Sequence, residues 1–458
     1  MYQKQYHIHF VGIGGIGMSG IAEILVKLGY TVSGSDAKKT QITQRLESLG
    51  CTTYEGHKAE QVEGANVVVT STAIKKDNPE VQAAKKAGIP IIPRAEMLAE
   101  LMRLKYSIAV AGAHGKTSTT SMTASVLEKA GMDPTVVIGG VLKSAGTNAL
   151  HGMGDFIVAE ADESDGSFLK FSPSIAIVTN IDREHLDYYD SLNSIKKAFV
   201  NFISRVPFYG LSILCMDSES VQDILPEIKG RYVTYGLNTR ADYQARNISF
   251  EGTTSRFSVY YLEEFLGEIS LNLPGVHNVT NCLASIAVGL ELNIPFATIK
   301  CALETLQGVK RRLELKGEID GVTVVDDYGH HPTEIKATLL AARECWPERR
   351  IVTVFQPHRF TRTQALFDEF TRSFYNTDKL LVLPIYPAGE SPIEGVSSES
   401  LCAKIRERGH QNTGSVDSHE DVLALLLADL KKDDLLITLG AGNVYRVGEN
   451  YLKLKQDA

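Results

Sequence analysis

The feature that most constrains this chain is a short glycine-containing turn between an apolar strand and a helix. Residues 106–111 predict a buried strand, residues 118–130 predict a helix, and the turn between them reads Gly112-Ala113-His114-Gly115-Lys116-Thr117. Such a turn directs backbone N–H groups and a helix N-terminus at one place, which suits a phosphate chain. Lys116 would reach the β- and γ-phosphates, and the Thr117 hydroxyl would hold Mg²⁺. The turn therefore predicts an α/β domain that binds a nucleoside triphosphate.

The turn is a shortened form of the phosphate-loop pattern, because the full pattern has a further Gly where this chain has Val110. Alone, it also fits an ordinary strand-to-helix turn with a surface lysine. The apolar strand at 155–159 favours the phosphate interpretation, since it ends in Glu160-Ala161-Asp162-Glu163-Ser164-Asp165. Nucleotide enzymes hold Mg²⁺ with an acid at the end of such a strand. Strand alternation puts Glu160 and Asp162 on one face.

Length and composition limit the class of protein. At ~150 residues per domain, 458 residues predict about three domains, which we place at 1–105, 106–309 and 310–458. The net charge of −8 argues against nonspecific nucleic-acid binding, and no apolar run approaches the ~20 residues of a membrane span. We expect no signal peptide and no disulfide or zinc site, because the N-terminus is polar and the six cysteines are scattered. These features predict a cytoplasmic globular protein without a nucleic-acid, membrane or obligate protein partner.

A second glycine-rich turn lies near the start of the chain. Gly12-Ile13-Gly14-Gly15-Ile16-Gly17 follows a strand at 7–11, and Asp36 comes at the end of the next strand, 31–35. This pattern is typical of a dinucleotide-binding fold, in which the turn approaches a diphosphate and the acid accepts from a ribose hydroxyl. The spacing leaves NAD, FAD and a UDP-sugar open, as well as a tight turn that binds nothing. Ser71, at the end of a further strand, lies where open α/β sheets bind ligands.

Three other polar groups have both a structural and a functional interpretation. His185 lies among acidic residues after a strand at 174–179. It is either a metal ligand or a solvated loop residue, and the residues alone favour the solvated interpretation. Residues 274–281 precede an Ala-rich helix at 282–292, so their His and Asn side chains either cap the helix or meet a base or phosphate. Arg312, in a short basic turn, belongs to a solvated linker or acts as a charge clamp on the γ-phosphate.

The last part of the chain carries apolar strands with polar ends. Strands are predicted at 322–325, 350–355, 379–383 and 435–439, and the polar loops that follow them are Asp326–Glu334, Gln356–Thr363, Pro384–Glu390 and Gly440–Asn443. Open α/β sheets bind ligands at the carboxyl ends of their parallel strands, so these loops predict a binding site. A single His in one of these loops is also compatible with helix capping.

The fold class that follows is α/β with three domains. We predict a Rossmann-like N-terminal domain, a central P-loop ATPase-type α/β domain with a β-rich insertion at 230–273, and a Rossmann-like α/β C-terminal domain.

The three predicted parts fit a reaction that joins an acid to an amine. A kinase needs only an acceptor domain, and a dehydrogenase has no use for Lys116 and the acid cluster. In a ligation ATP first phosphorylates the carboxylate, because a carboxylate is a poor electrophile, and a neutral amine then attacks the acyl phosphate. Lys116, Thr117 and Mg²⁺ would stabilise the phosphoryl charge, and a His would take the proton of the amine. An oxidoreductase and a plain P-loop ATPase with a regulatory sugar-nucleotide domain remain as alternatives.

The motifs also carry a resemblance that runs from about residue 7 to residue 450. In chain order they resemble those of the Mur ligases: Gly12–Gly20, Gly112–Thr117, Glu160–Asp165, Asn180–His185, His277–Asn281, Lys310–Arg312, Asp326–Pro332, Gln356–Arg362 and Tyr386–Glu390. These motifs in one order are far more specific than any single one. Within the family, the chain most resembles the branch that adds L-alanine to UDP-N-acetylmuramate, and the recycling branch that attaches a whole murein tripeptide is the nearest alternative.

The resemblance implies an ATP- and Mg²⁺-dependent ligase of bacterial peptidoglycan synthesis in the cytoplasm, and hence a part in cell-wall biogenesis, cell shape, cell cycle and cell division. ATP would activate the lactyl carboxylate of UDP-N-acetylmuramate through an acyl phosphate, and L-alanine would attack it. Both substrates are small molecules.

The resemblance also implies site residues. For the UDP-sugar they are Gly14, Gly15, Ile16, Gly17, Asp36, Ser71 and Arg94. For ATP they are Gly112, Ala113, His114, Gly115, Lys116, Thr117, Ser118, His277, Asn278, Asn281 and Arg312. For the amino acid and acyl phosphate they are Tyr328, His330, His358 and Arg362. The implied Mg²⁺ ligands are Thr117 and Glu160 for one ion and His185 for a second, and the implied catalytic groups are Lys116, His185, Arg312, His330 and His358.

Overall fold

In a computed structural model of the chain, the described residues are 6–71, 73–139, 149–184, 188–237 and 240–457. They form three sheets flanked by helices, and their contacts divide them into two compact units. The first unit holds the described residues up to Arg246, Ser258–Glu268 and Thr280–Gln307; the second holds Asn247–Phe257, Ile269–Val279 and the described residues from Gly308 on. No helix in these described ranges has the length and apolar character that crossing a bilayer requires.

The first sheet is parallel and carries the first glycine-rich turn at its carboxyl edge. Its strands are β1 (His7–Val11), β2 (Thr31–Asp36), β3 (Thr52–Glu55), β4 (Val67–Thr70) and β5 (Ile91–Pro93), and its helices are α1 (Ile16–Lys27), α2 (Gln41–Ser48), α3 (Pro79–Ala87) and α4 (Arg94–Met102). The strand order is β3-β2-β1-β4-β5. Because β2 and β4 lie on opposite sides of β1, the order reverses next to β1, which is where open α/β sheets bind ligands.

The second sheet carries the phosphate loop between a central strand and a helix. Its strands are β6 (Tyr106–Ala111), β7 (Thr135–Val137), β8 (Ala149–Leu150), β9 (Phe156–Glu160), β10 (Ile175–Val178), β11 (Leu211–Cys215), β12 (Tyr232–Gly236), β13 (Tyr243–Glu251), β14 (Thr254–Tyr261) and β15 (Glu264–Leu271). The helices are α5 (Lys116–Lys129), α6 (Leu192–Ile203), α7 (Glu219–Ile224), α8 (Val276–Glu291) and α9 (Phe296–Glu304). The order is β15-β14-β13-β12-β11-β10-β6-β9-β7-β8, with β9 and β10 parallel to β6. The β-rich insertion predicted at 230–273 is confirmed as β12 to β15.

The third sheet is covered by buried side chains on both faces. Its strands are β16 (Glu314–Ile319), β17 (Val322–Asp327), β18 (Arg350–Phe355), β19 (Lys379–Val382), β20 (Thr413–Ser415) and β21 (Asp434–Leu439). The helices are α10 (Pro332–Cys345), α11 (Phe360–Ala365), α12 (Phe367–Phe370), α13 (Ser398–Glu407), α14 (His419–Asp429) and α15 (Tyr445–Gln456). The order is β16-β17-β21-β18-β19-β20, parallel from β17 onward. Val324 and Val325 belong to separate buried clusters, one on each face, as strand alternation requires.

Strand β16 is absent from the sequence predictions. It forms an antiparallel hairpin with β17 through Asp320 and Gly321, whose φ angles are +52° and +76°. Positive φ at both turn residues is the geometry that Asp-Gly favours in tight hairpins, so the signal is present in the sequence. The register of this pair shifts between Leu315 and Gly317. The charged residues of the strand are Glu314, Lys316 and Glu318.

Helix α8 begins earlier than predicted. It starts at Val276 instead of residue 282, so that His277, Asn278 and Asn281 lie inside its first two turns rather than before it. Its β-branched and polar first residues have low helix propensity, which favours a loop. Val279 is fully buried, however, and tertiary packing of a helix outweighs propensity.

Candidate active site

The first glycine-rich turn is shaped by contacts that require glycine. The N–H groups of Gly12 and Ile13 donate to the Ser35 carbonyl at 2.8 and 2.9 Å, which ties the turn to β2. Gly14 donates its N–H to Asp36 Oδ2 at 2.9 Å, and a Cβ at Gly14 would lie 2.8 Å from the same oxygen. Asp36 therefore fixes the turn, and the ribose contact implied for it stays a prediction.

Arg94 lies against the third glycine of the pattern. A Cβ at Gly17 would lie 2.0 Å from Arg94 Nη1 and 3.1 Å from its Cδ, so only glycine leaves room for this side chain beside the first turn of α1. Arg94 is the first residue of α4, and its Nη2 lies 3.9 Å from Asp162 Oδ2. Gly15–Ile16 form the N-cap and first position of α1, and Ser71 directly follows β4, the neighbour of β1. The residues predicted for the UDP-sugar are thus grouped at one edge of the sheet.

The phosphate loop is held by the residues that follow β10. Asn180 accepts from the His114 N–H and donates its amide to the His114 carbonyl, both at 2.9 Å. Thr179 also donates to that carbonyl, at 2.5 Å. A Cβ at Gly112 would lie 2.1 Å from the Thr179 hydroxyl oxygen, and Gly112 has a φ of +136°. The protein alone therefore fixes the shape of the loop.

Helix α5 begins earlier than predicted and lies beside Asn281. It starts at Lys116 instead of Ser118, because Gly115 forms its N-cap in the left-handed region, at a φ of +82°. A Cβ at Gly115 would lie 2.7 Å from Asn281 Oδ1. The predicted ATP ligand Asn281 is therefore next to the loop in the first unit, and the predicted ligands His277–Asn278 belong to the second unit.

Lys116 is enclosed by its own loop and by Glu163. Its Nζ donates to the carbonyls of Gly112 at 2.5 Å and Ala113 at 3.3 Å, and to both carboxylate oxygens of Glu163 at 3.0 Å. Burial lowers the pKa of Lys116, but the carboxylates of Glu163 and Asp162 outweigh burial and raise the pKa above its ordinary value. Lys116 is therefore a permanent cation at the phosphate loop.

Oxygen ligands suited to Mg²⁺ lie on β9 and α5. Glu160 is the last residue of β9 and pairs in register with Val110, two residues before the loop. A Cβ at Gly139 would lie 2.9 Å from Glu160 Oε2, so a glycine leaves room beside this carboxylate. A hydroxyl and a carboxylate are donors that Mg²⁺ accepts, so Thr117 and Glu160 fit the ion. The predicted ligand His185 lies outside the described residues.

Three further predicted ATP residues have defined positions. The His114 ring Nε2 lies 3.0 Å from Asp182 Oδ2, which connects the loop to the segment after β10. Ser118 lies in the first turn of α5. Asn278 is buried and donates its amide to the Pro274 carbonyl at 2.8 Å, so it fixes the start of α8.

In the second unit, Arg311 holds the loop that follows β21. Its guanidinium donates to the carbonyls of Gly440 at 2.6 Å and Gly442 at 3.2 Å, and to Asp326 Oδ2 at 2.9 Å. It also lies over the Tyr328 ring, 5.0 Å from the centroid. Asp326 is fully buried, and this burial raises its pKa although Arg311 opposes the shift. Arg311 is therefore a structural cation of the site.

Arg312, next in the chain, lies among predicted site residues. Its Nη1 is 3.6 Å from Glu334 Oε1, and its guanidinium carbon is 5.5 Å from the Tyr328 centroid. Burial and the nearby Arg312 lower the pKa of His277 to about 4, and Glu334 opposes them. The structure thus brings Arg312, His277 and Tyr328 together in the second unit.

The residues predicted for the amino acid form one cluster at the carboxyl edge of the third sheet. The rings of His330 and His358 have centroids 6.0 Å apart, and His358 stacks on Tyr386 at 5.4 Å with 8° between the planes. The Tyr328 ring meets His330 edge-on at 5.3 Å, and Arg362 Nη1 lies 3.4 Å from His358 Nδ1. All four predicted residues are therefore brought together, and the structure adds Tyr386.

His358 is neutral in this cluster at neutral pH. Burial first, and then the neighbouring His330 and Arg362, lower the pKa of His358 to about 4. A neutral imidazole accepts an N–H, but a pKa this low makes it a weak base. Glu334 fixes the adjacent loop, since it accepts from the His330 N–H at 3.0 Å and belongs to the capping box of α10.

The loops at this edge hold strained backbone. Non-glycine residues with positive φ are Arg311 (+60°), Leu313 (+40°), Arg359 (+72°) and Ala388 (+48°). Hydrogen bonds stabilise the first two, since the Arg311 N–H donates to Glu314 Oε2 at 2.8 Å and the Leu313 N–H to Asp327 Oδ2 at 2.7 Å. Such conformations are uncommon and concentrate at functional sites.

The sequence predictions missed the residues that support the site. Thr179, Asn180, Glu163, Arg311 and Glu334 all lie in or next to the motifs, but spacing along the chain does not show which group each one meets. The available signal was the concentration of polar residues directly after strands. The first unit holds the two glycine-rich loops, and the second unit holds a separate cluster of imidazole and guanidinium groups.

Known proteins and protein families match the chain over nearly its full length. Residues 7–106 match the family model described as Mur ligase family, catalytic domain, residues 110–289 the Mur ligase middle domain, and residues 311–442 the Mur ligase, glutamate ligase domain. The UDP-N-acetylmuramate–L-alanine ligase of Desulfatibacillum aliphaticivorans is 64% identical over 452 residues, which are 99% of each chain.

Two solved structures share the fold over their full length. The UDP-N-acetylmuramate–alanine ligase of Thermotoga maritima has a TM-score of 0.82 and 29% identity, covering 98% of this chain and 99% of that one. A murein peptide ligase from Psychrobacter arcticus has a TM-score of 0.72 and 25% identity, covering 99% of both.

Proposed function

Because the chain belongs to the Mur ligase family, we propose that it joins L-alanine to the lactyl carboxylate of UDP-N-acetylmuramate with ATP as the phosphoryl donor. The observation that carries the proposal is the name shared by relatives that match the chain from end to end. The reaction is a cytoplasmic step of bacterial peptidoglycan synthesis, and the enzyme thereby serves cell-wall growth, cell shape and division. The predicted domains 1–105, 106–309 and 310–458 carry the sugar nucleotide, ATP and the amino acid in turn.

The phosphate loop takes the triphosphate in this proposal. Its backbone N–H groups and the N-terminus of α5 face the phosphates, and Lys116 exchanges its bond to Glu163 for the β- and γ-phosphate oxygens. Thr117 and Glu160 would hold Mg²⁺, which would neutralise part of the phosphate charge. The remaining proposed ligands are His277, Asn278, Asn281 and Arg312, and His185 is the proposed ligand of a second Mg²⁺.

The first glycine-rich turn takes the sugar nucleotide. Gly14–Gly17 and the start of α1 face the diphosphate, with Arg94 as the cation and Ser71 as a hydroxyl donor. Asp36, which already accepts from the Gly14 N–H, uses its remaining acceptor capacity for the ribose. The lactyl carboxylate oxygen then attacks the γ-phosphorus, the bond to the β-γ bridging oxygen breaks, and ADP leaves.

The histidine cluster takes the amino acid. Arg362 pairs with its carboxylate, and Tyr328, His330 and His358 surround the amine and the acyl phosphate. The neutral amine attacks the acyl carbon, inorganic phosphate leaves, and the amine proton passes to an imidazole of this cluster. Lys116 and Arg312 stabilise the negative charge that develops in these steps. His330 and His358 serve the proton transfer.

The proposal is tested by phosphate release from ATP and Mg²⁺ in the presence of UDP-N-acetylmuramate, with L-alanine, with the murein tripeptide, or with no acceptor. We expect release and a ligated product that both require L-alanine. Release only with the tripeptide would place the chain in the recycling branch instead. Release without any acceptor would favour the plain ATPase, and a nicotinamide absorbance change would favour the oxidoreductase.

A further inference from the structure

Two adjacent acids pair with the cations of two different phosphate loops. Asp162 Oδ2 lies 3.9 Å from Arg94 Nη2, and Arg94 lies against Gly17 of the first glycine-rich turn. Glu163 places both carboxylate oxygens 3.0 Å from the Nζ of Lys116, the cation of the second loop. The pair Asp162–Glu163 therefore joins both loops through two consecutive residues.

The two ion pairs differ in strength. The Arg94 and Asp162 side chains are 39% and 45% exposed, and a pair this open and this long is weak. Lys116 and Glu163 are 16% and 3% exposed with short contacts, so breaking this pair without a replacement leaves a buried charge. Phosphate oxygens supply that replacement at either cation, because they present the same negative oxygen as a carboxylate.

The segment around the two acids is anchored to α4 by a second ion pair. Lys170 Nζ lies 2.6 Å from Glu96 Oε2, with both side chains 41% exposed. Glu96 follows Arg94 by two residues on α4, and Lys170 ends the short 3-10 helix Ser167–Lys170 after the acids. Like Arg94–Asp162, this pair connects α4 to the segment that follows β9, but it touches neither phosphate loop, so it is a matched control.

We propose that Asp162–Glu163 couples the two phosphate sites, by occupying Arg94 and Lys116 in the empty protein and yielding each cation to the phosphate that binds there. This inference rests on the proposed function, which assigns a diphosphate to the first loop and a triphosphate to the second. A ligand that breaks one of these two ion pairs leaves the acid pair less firmly held. The second ligand then displaces a carboxylate that is already less ordered, and it binds more tightly. The coupling is therefore positive, and it is reciprocal.

The coupling is measured by calorimetry on the full chain. UDP and UDP-N-acetylmuramate are titrated with and without saturating β,γ-imido ATP and Mg²⁺, in the absence of L-alanine. In the wild-type protein we expect the ATP analogue to tighten binding of either uridine nucleotide by about fivefold or more. We call the dissociation constant without the ATP analogue divided by that with it the coupling ratio. In Asp162→Asn we expect this ratio to fall to about one. The same variant should bind UDP alone about two- to fivefold more tightly, because the competitor for Arg94 is gone.

Tighter binding together with lost coupling is a signature that a merely damaged fold does not produce. Glu96→Gln removes the control ion pair and should keep the wild-type ratio. An unchanged ratio in Asp162→Asn, weaker UDP binding by it, or an equal loss in Glu96→Gln overturns the inference. Coupling as described in a protein that fails to ligate L-alanine would overturn the proposed function alone, and ligation with an unchanged ratio in Asp162→Asn would overturn the coupling alone.

Discussion

Arg311 and Arg312 are neighbours in sequence with different partners. Arg311 is bonded to the buried Asp326 and to carbonyls of the loop after β21. Arg312 is 3.6 Å from Glu334 and 30% exposed. The sequence does not distinguish these two arginines, but their partners do. Arg311 is a structural cation, and Arg312 is the one that we propose as a phosphate ligand.

Arg311→Met is expected to destabilise the protein. The substitution leaves Asp326 buried without its cation, which costs about 3–5 kcal/mol. The measurement is urea unfolding followed by circular dichroism. Arg312→Met, the control, should change the free energy of unfolding by less than about 1 kcal/mol, because its ion pair is long and partly exposed. Equal losses in the two variants would contradict the assignment.

Lys116→Ala is expected to abolish turnover while UDP-N-acetylmuramate still binds. A cation on the transferring phosphoryl group contributes about 10³-fold or more to the rate. Phosphate release measures the first effect and calorimetry the second. Loss of sugar-nucleotide binding would mean that Lys116 serves the other loop.

Stability should fall as the pH drops from about 6.5 toward 4. The folded protein lowers the pKa of His277 and His358 to about 4 from an ordinary 6.5, so in this window the unfolded chain binds more protons. Each ring contributes at most about 3 kcal/mol, and less where it reaches solvent. Urea unfolding at pH 7.5 and 5.0 measures the loss, which should be smaller in His277→Gln than in the wild type. Equal losses would show that His277 does not contribute.

Among the elements, those bounded by strong local signals were predictable. Strands β1, β6 and β18 match the predicted residues one for one, because apolar runs end there at Gly or Gln-Pro. Helix α8 was misjudged at its start, because burial of Val279 is a tertiary effect. The motif residues of the site were predictable, but Asn180 lies 66 positions from His114 and Glu163 lies 47 from Lys116. Such long-range partners depend on how the strands are ordered in the sheet.

The role of Gly17, the last glycine of the first glycine-rich turn, can be tested by substitution. Gly17→Ala puts a methyl group where Arg94 lies, so the arginine must move away from the first glycine-rich turn, the proposed diphosphate site. We expect the KM for UDP-N-acetylmuramate to rise about tenfold, which is the loss of about one charged hydrogen bond. Because Arg94 is flexible, the melting temperature should change little.

Gly34→Ala is the matched control in the same domain. A Cβ there would lie 2.6 Å from the Phe10 carbonyl oxygen and 2.7 Å from Ile13 Cβ, which are backbone and core atoms. It should destabilise the fold by about 1–3 kcal/mol. A large stability loss in Gly17→Ala, or an unchanged KM, would show that the glycine serves packing alone.

At the scale of the whole molecule, the cysteines report on the packing of every sheet. Cys301 is partly buried, and the buried ones are Cys51, Cys215, Cys282, Cys345 and Cys402. Burial raises the pKa of Cys51, Cys215, Cys345 and Cys402 to about 12, and that of Cys282 is raised as well. A thiol protonated and enclosed in this way is unreactive.

An aromatic disulfide reagent at pH 8 should therefore label only Cys301 quickly in the native protein. The other five cysteines should react only after unfolding in guanidinium chloride. Cys301→Ser should remove the fast reaction. Fast labelling of a further thiol in the native protein would show that one of the three sheets opens readily.

The hairpin strand β16 has a consequence at high protein concentration. It forms one edge of the third sheet, and an open edge is a template on which strands of other chains add and aggregate. The irregular register between Leu315 and Gly317 and the alternating charges of Glu314, Lys316 and Glu318 make this edge a poor template. The irregular, charged strand that the sequence predictions overlooked therefore disfavours the addition of another strand at this edge.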